Sequence, residues 1–157
     1  MTLRHALATC LLCLPLSAQA LDVGQPLVSW TLLDQFDQPY TFDTGTAIVL
    51  VARSMAAAKL VDAALKDQPT GYLEARHTAY VADIERMPAV ARVFAIPAMR
   101  SAKYRILLDR EGRVASRYDG DRESVQWLQV ADGKLVTAKR FEDGESLRKA
   151  LDQVQGR

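Results

Sequence analysis

Runs of apolar residues alternate with polar turns along the chain, and each run has the length of a strand or the spacing of a helix. The run AIVLVA, residues 47–52, is apolar at every position. Such a run is typical of a strand buried on both faces of a sheet. Ser54 follows it as a good helix N-cap, and the alanine-rich sequence from Met55 onward predicts a helix. A buried strand that leads into a helix is where α/β proteins usually place their chemistry.

Shorter apolar runs on both sides of this strand predict the rest of a sheet. Their ranges are 27–33 and 40–42, which form an N-terminal hairpin, then 78–84, 105–109, and 125–130 paired with 135–141. An Asp-Gly pair lies between the last two runs and is a strong hairpin signal. Residues 113–118 are predicted to pair with the preceding strand or to leave it as an extended segment.

Two more helices are predicted after the first one, which should end before Pro69. Pro88 suits the first position of a helix, because its missing N–H is not needed there. The residues predicted to form the apolar face of this helix are Val90, Val93 and Phe94. Pro97 should bend or end it, and the last helix covers 145–154. The predicted order is a βαβ half followed by a ββα half, which indicates an α/β fold.

The first twenty residues are typical of a secretory signal peptide. Arg4 precedes an apolar run over 6–16, and Ala18 and Ala20 supply the small residues that signal peptidase requires. The run is shorter than the roughly 20 residues that cross a membrane. We expect cleavage after Ala20, so that 1–20 is the signal and 21–157 is one domain exported to the periplasm, without a membrane anchor.

Removing this segment changes the chemistry of the chain. Both cysteines, Cys10 and Cys13, lie within it, and neither follows the small residue that a lipidated cysteine needs. The predicted mature chain therefore contains no thiol. Loss of Arg4 leaves 19 of the 20 Lys and Arg residues, equal to the 19 Asp and Glu residues. A neutral chain argues against nucleic acid or an anionic membrane as its main partner.

Residues 105–136, RILLDREGRVASRYDGDRESVQWLQVADGKLV, resemble the second half of the thioredoxin-like superfamily, in its peroxiredoxin and thiol-disulfide oxidoreductase branch. The matching motif residues are Asp109, Gly112, Val114, Ala115, Tyr118, Trp127, Leu128, Gly133, Lys134 and Val136. The N-terminal motif of the branch is echoed by 30–34 and 40–42. More narrowly, the chain is similar to the YtfJ-type periplasmic proteins, a likeness that implies no known activity. The resemblance implies a thioredoxin-like α/β fold, with a central mixed sheet flanked by helices and an N-terminal β-hairpin.

The reactive residues of that branch do not carry over. Its Cys-x-x-Cys positions fall on Met55 and Ala58, its cis-proline position falls on Ser124, and no peroxidatic cysteine is present in this segment. Thiolate sulfur is the nucleophile in such enzymes. The resemblance therefore implies a redox-inactive scaffold, and no catalytic residue is assigned.

Other kinds of site find little support in the sequence. His77 is the one histidine after the predicted cleavage point, so no metal site is predicted. No cofactor is predicted either, because no pair of glycines has the spacing of a phosphate-binding loop. Ser54 lacks a Gly-x-Ser-x-Gly motif and is interpreted as a helix cap. The loop with Asp119, Asp121 and Glu123 also carries arginines and is interpreted as a solvated, self-neutralised surface.

The stretch RMPAVARVFAIPAMR, residues 86–100, leaves two interpretations open. Met, aromatic and Arg side chains are enriched at protein interfaces. The same stripe is also compatible with one face in the core and solvated cations on the other.

Two functions remain open at this level. The first is a non-catalytic binding or accessory protein of the periplasm, whose partner is a periplasmic protein or an extended peptide held at the start of the first helix. The predicted groove residues are Arg53, Ser54, Met55, Lys59, Arg122, Glu123 and Ser124. The alternative is an enzyme with non-thiol chemistry, either a hydrolase or a cofactor-dependent oxidoreductase.

Overall fold

The computed structural model of the protein describes residues 21–154, so the predicted signal segment lies outside the described residues. Within that range seven strands form a single mixed sheet. The strands are β1 (Thr31–Asp34), β2 (Pro39–Thr41), β3 (Ile48–Ala52), β4 (Thr78–Asp83), β5 (Leu107–Asp109), β6 (Val125–Ala131) and β7 (Lys134–Phe141). The α-helices are α1 (Met55–Leu65), α2 (Ala89–Met99) and α3 (Gly144–Asp152). The strand order is β2-β1-β5-β4-β3-β6-β7, which confirms the predicted α/β class and N-terminal hairpin.

Strand β3 lies at the centre of the sheet and is buried over its whole length. It runs parallel to β4 and antiparallel to β6, so that Leu50 lies between Tyr80 and Trp127. Val49 and Leu50 point to opposite faces, and neither is accessible to solvent. The prediction of a central strand buried on both faces is confirmed.

Different parts of the chain cover the two faces of the sheet. Ile96 of α2 packs against the core cluster that contains Val61 of α1 and Leu147 of α3, so the three helices share one face. The opposite face packs against Trp30 and Tyr118, and the Trp30 indole N–H donates a 2.8 Å hydrogen bond to the Tyr118 hydroxyl oxygen. Segments before β1 and after β5 therefore close the face that has no helix.

Helices α1 and α3 approach each other very closely. A Cβ atom added at Gly144 would lie 2.8 Å from the Cβ of Ala63 and 3.0 Å from the carbonyl oxygen of Leu60. These distances leave no room for a side chain, so glycine is required where the two backbones meet. Asp143 caps α3 by accepting a 2.7 Å hydrogen bond from the backbone N–H of Ser146. No helix within residues 21–154 combines the length and apolar composition needed to cross a membrane.

The hairpin between β6 and β7 has the tight turn that its sequence predicts. Asp132 and Gly133 both have positive φ angles, 49° and 73°. Two such residues are required by a type I′ turn, whose twist matches that of the flanking strands. The prediction from the Asp-Gly pair is confirmed.

The segment 113–118, predicted to pair with the preceding strand or to be extended, instead contains one turn of 3-10 helix, Ala115–Arg117, so that prediction is wrong. The carboxylate of Asp109 gives the physical reason. It accepts hydrogen bonds from the backbone N–H groups of Arg113, Val114 and Ala115, at 3.0, 2.8 and 2.8 Å. Asp109 is buried at the end of β5, and its three bonds curl the chain back over the sheet.

Helix α2 turns a different face to the core from the one predicted. Val90, Val93 and Phe94 are 70%, 67% and 72% exposed, so the prediction that they form the core-facing stripe is wrong. Ile96 and Met99 pack against the core instead. Arginine is the only polar residue type in α2, so helical spacing alone does not distinguish its two faces.

The ends of α2 also differ slightly from the expected ones. Pro88 is the N-cap residue, one position before the first helical residue. The helix continues past Pro97 to Met99, so Pro97 does not end it. The backbone N–H of Arg100 then bonds to the carbonyl oxygen of Pro97 and closes the last turn.

Candidate functional site

The start of α1 is tied to the loop that precedes β6. Ser54 Oγ accepts a 3.1 Å hydrogen bond from the backbone N–H of Ala57, which confirms the interpretation of Ser54 as the N-cap. The same hydroxyl donates its proton to the carbonyl oxygen of Arg122. Ser54 therefore positions the helix against the loop, and its hydroxyl is engaged on both sides.

The loop itself is built around Asp121. Its Oδ1 accepts hydrogen bonds from the hydroxyl and the backbone N–H of Ser124, both at 2.8 Å, and from the N–H of Glu123 at 2.9 Å. These bonds, with the Ser124 hydroxyl contributing most, lower the pKa of Asp121 because they favour the charged carboxylate. Ser124 is buried, so its side chain organises the loop and offers little surface to a partner.

Arg53 forms a second connection between β3 and this loop. Its Nη1 donates a 3.1 Å hydrogen bond to the carbonyl oxygen of Gly120. Its Nε lies 3.5 Å from Asp83 Oδ2, which is close enough for an ion pair, but the geometry is not that of a hydrogen bond. The buried Oε1 of Gln126 also has no hydrogen-bond partner among the described residues. The Arg53 guanidinium is thus largely committed to internal contacts.

A cavity of about 570 Å³ lies between α1, α2 and β4. Its size falls within the range of about 300–1,000 Å³ that is usual for small-molecule sites. The side chains that leave this space open are alanines, which end at Cβ: Ala52, Ala58, Ala82, Ala95, Ala98 and Ala102. Three methionines, Met55, Met87 and Met99, complete much of the apolar lining. We call this space the α1–α2 cavity.

The α1–α2 cavity contains two tyrosines at its polar part. The Tyr104 hydroxyl donates a hydrogen bond to a carboxylate oxygen of Asp62. The ring of Tyr80 lies beside that of Tyr104, with 6.1 Å between their centroids. Burial raises the pKa of both phenols, and the bond to Asp62 raises that of Tyr104 further. Both hydroxyls are therefore neutral hydrogen-bond donors at physiological pH.

The burial of Tyr80 makes stability depend on pH in the alkaline range. In the unfolded chain a tyrosine loses its proton near pH 10, whereas burial raises the pKa of Tyr80 above that value in the folded protein. Stability is unaffected by this group below about pH 10, and above it the free energy of unfolding falls by about 1.4 kcal/mol per pH unit. Urea unfolding measures the free energy of unfolding at about pH 9 and at about pH 11. We expect it to fall between these pH values by about 1 kcal/mol more in the original protein than in Tyr80→Phe. An equal loss in both proteins would contradict this prediction.

The predicted groove residues fall into two groups. Ser54 and Met55 line the α1–α2 cavity, and Met55 is 57% exposed at its opening. The others do not line it: Arg53, Lys59, Arg122, Glu123 and Ser124 lie outside, in the β3 end, the outer face of α1 and the loop before β6. The structure thus brings Ser54 and Arg122 into contact but divides the predicted groove around the start of α1.

Sequence reasoning did not single out Tyr80, Tyr104 or Asp62. Tyr80 stands in a run of strand residues, and Asp62 reads as an ordinary solvent-facing position of α1. The signal that could have pointed to the cavity is the frequency of alanine on both helices that bound it. Within residues 21–154, no group of three His, Cys, Asp or Glu side chains is placed to hold a metal ion.

No protein-family model matches the chain, and no curated protein is detectably similar to it in sequence. Solved structures do match it. A Bacteroides thetaiotaomicron protein assigned as a protein disulfide isomerase has a TM-score of 0.60 at 15% identity, over 85% of this chain and 88% of that one. A Chlorobium tepidum protein assigned as the thiol:disulfide interchange protein DsbE has a TM-score of 0.58 at 14% identity, over 85% and 95%. The peroxidoxin BcpB of Mycobacterium tuberculosis has a TM-score of 0.55 at 16% identity, over 85% and 96%.

These likenesses extend over most of both chains, but identities of 14–16% show a shared fold and nothing finer. The narrower similarity to the YtfJ-type proteins stays a prediction. The strand order, the helix that follows the central strand and the matched structures agree, and the chain has the thioredoxin-like fold of the peroxiredoxin and thiol-disulfide oxidoreductase structures.

Proposed function

We propose that the protein is a periplasmic, redox-inactive member of this fold that binds an apolar ligand in the α1–α2 cavity. The predicted signal over residues 1–20 supports export. Residues 21–157 contain no cysteine, so the exported chain has no thiol with which to exchange disulfides or reduce peroxide. Binding is then the function that its geometry serves best.

One observation carries this proposal. Met55 and Ala58, which occupy the positions of the redox cysteines in the resemblance, both line the α1–α2 cavity. The place where the fold presents sulfur nucleophiles is here a thioether and a methyl group at the mouth of an apolar space. Apolar walls favour a ligand that loses water-exposed apolar surface on binding.

The methionines indicate how such a site tolerates its ligand. Met side chains are unbranched and polarizable, and they adapt to irregular apolar shapes. Met55 is exposed at the cavity mouth. Met87 and Met99 pack against the core but are only partly buried. The lining can therefore close around ligands of somewhat different outline.

We expect Ala58→Leu to weaken binding of a fluorescent apolar probe, N-phenyl-1-naphthylamine, because the larger side chain fills the cavity from α1. Ala56→Leu is the matched control, since Ala56 is exposed on the same helix and does not line the cavity. The affinity of Ala58→Leu should fall at least about tenfold, while that of Ala56→Leu should be unchanged. Fluorescence titration of protein expressed from the full-length reading frame measures both.

Circular dichroism establishes that Ala58→Leu is folded, and Ala98→Leu fills the same space from α2 if it is not. Equal probe binding by the original protein and both filled variants would show that the cavity is not the site. Steady reduction of insulin or consumption of peroxide by the purified protein would contradict redox inactivity.

A further inference from the structure

The lining of the α1–α2 cavity follows α1 from its first turn to its last. The α1 residues that line it are Met55, Ala58, Asp62, Leu65 and the following Lys66. They recur at helical spacing on one face from the first turn to the last, a distance of roughly 15 Å at 1.5 Å per residue. A lining that continues over this length suits an extended apolar chain better than a compact ring system.

One end of the α1–α2 cavity carries a net positive charge. Lys66 and Lys103 line the end that also contains Asp62 and Tyr104. Both lysines are exposed, and neither forms an ion pair within residues 21–154. Asp62 faces the same region, but its carboxylate already accepts the hydrogen bond from Tyr104. The balance at this end is therefore one positive charge in excess.

A hydroxyl group at the cavity wall lies close to this end. Tyr80 is only 3% exposed and lines the cavity beside Tyr104. Unlike the Tyr104 hydroxyl, which bonds to Asp62, the Tyr80 hydroxyl has no hydrogen-bond partner among the described residues. The hydroxyl oxygen itself is not fully enclosed, so it stays open to the cavity, where an acceptor atom on a bound ligand can take its hydrogen bond.

We infer that the ligand is an unbranched apolar chain that ends in a carboxylate, such as a free acyl acid. This inference rests on the proposed function and names its ligand class. The chain lies along the alanine and methionine walls, and the carboxylate stays at the rim near Lys66 and Lys103. An ionised group is held at the rim because full burial of an unpaired charge is prohibitive.

An extended peptide fits the same space less well. Peptides that bind in extended form gain most of their affinity from main-chain hydrogen bonds to an open strand edge. The strands under the cavity are β3 and β4, which pair with each other, and their outer edges pair with β6 and β5. The remaining walls are α1, α2 and the irregular segment 101–106, and none of these is a strand with an open edge.

The test compares decanoic acid with decanol by isothermal titration calorimetry, below the concentrations at which either aggregates. We expect the acid to bind about tenfold more tightly, and Lys66→Gln with Lys103→Gln to remove that preference without changing decanol affinity. The matched control changes Lys134 and Lys139 to Gln, two exposed lysines on β7 that do not line the cavity. Salt at about 0.5 M should weaken binding of the acid alone.

Each result separates this inference from the proposed function. Equal affinities for acid and alcohol, or a preference that survives loss of both lysines, would overturn the carboxylate assignment while leaving the cavity as a binding site. The inference also fails if the naphthylamine probe binds and neither decyl compound displaces it. Displacement by an apolar peptide alone would assign the site to peptides. Failure of the probe itself to bind would instead contradict the proposed function.

Discussion

Met55→Cys together with Ala58→Cys is expected to introduce a disulfide and a thiol-disulfide exchange activity at the start of α1. The two positions lie three residues apart in the first turn of α1, on the same face of the helix. Cysteines can be bridged when their Cα atoms are about 4.4–6.8 Å apart, which one helical turn provides. Residues 21–157 contain no other cysteine, so protein prepared without residues 1–20 gives no thiol background.

The position also favours reactivity. Met55 is 57% exposed, and a thiol in its place would be accessible to a substrate disulfide. The helix N-terminus stabilises a thiolate, because the free N–H groups and the helix dipole favour negative charge there. Thiol titration after mild oxidation should show both sulfurs consumed within one chain, and the reduced variant should accelerate insulin reduction several-fold over reductant alone.

Ala58→Cys alone is the control for this gain. It introduces a thiol into the same helix but leaves it without a partner, so it should neither form an intramolecular bridge nor turn over insulin. Persistence of two free thiols in the double variant would mean that α1 does not begin where the structure places it. A bridge without any exchange activity would mean that the surrounding surface no longer admits a disulfide substrate.

Asp109→Ala is expected to be the most destabilising single change outside the apolar core. Its buried carboxylate is the acceptor for the backbone N–H groups of Arg113, Val114 and Ala115. Hydrogen bonds to a charged group contribute about 1.5–3 kcal/mol each, and orphaned donors add a further penalty. Because these bonds act together, we expect a loss of about 3–5 kcal/mol in the free energy of unfolding, a large part of the 5–15 kcal/mol usual for a domain.

Urea unfolding followed by circular dichroism measures this loss. Glu111→Ala is the matched control in the same segment, since Glu111 pairs with Arg113 on an exposed surface and should cost less than about 1 kcal/mol. Asp109→Asn retains one acceptor oxygen and should fall between the two. Equal stability of Asp109→Ala and Glu111→Ala would show that the carboxylate does not hold this segment.

The parts of the fold that could be predicted are those whose signal lies within one short stretch. The apolar run of β3, the cap at Ser54 and the Asp-Gly turn each depend on neighbours in the sequence. The Asp109 segment could not be predicted in this way. Its residues match the motif of the resemblance, but their order does not indicate that one carboxylate accepts three backbone hydrogen bonds and forces a 3-10 turn.

The candidate site was harder to predict, because it is formed by residues from distant parts of the chain. Ala58 and Ala98 leave a space only because the fold sets α1 beside α2, and helical spacing in α2 pointed to the wrong face. The groove prediction placed the site at the start of α1, and Ser54 and Met55 do line the cavity. Nothing in the sequence marks Tyr80 and Tyr104 as part of a site, since tyrosines within strands and loops are ordinary core residues.

The contact at Gly144 determines which wall of the α1–α2 cavity is able to shift. Because the Gly144 backbone lies against the Ala63 side chain and the Leu60 carbonyl oxygen, α1 and α3 behave as one rigid unit that packs on the central strands. Helix α2 has no fully buried residue, so less apolar packing holds it in place. A change in the width of the cavity when a ligand enters would therefore come from displacement of α2, while α1 keeps its position.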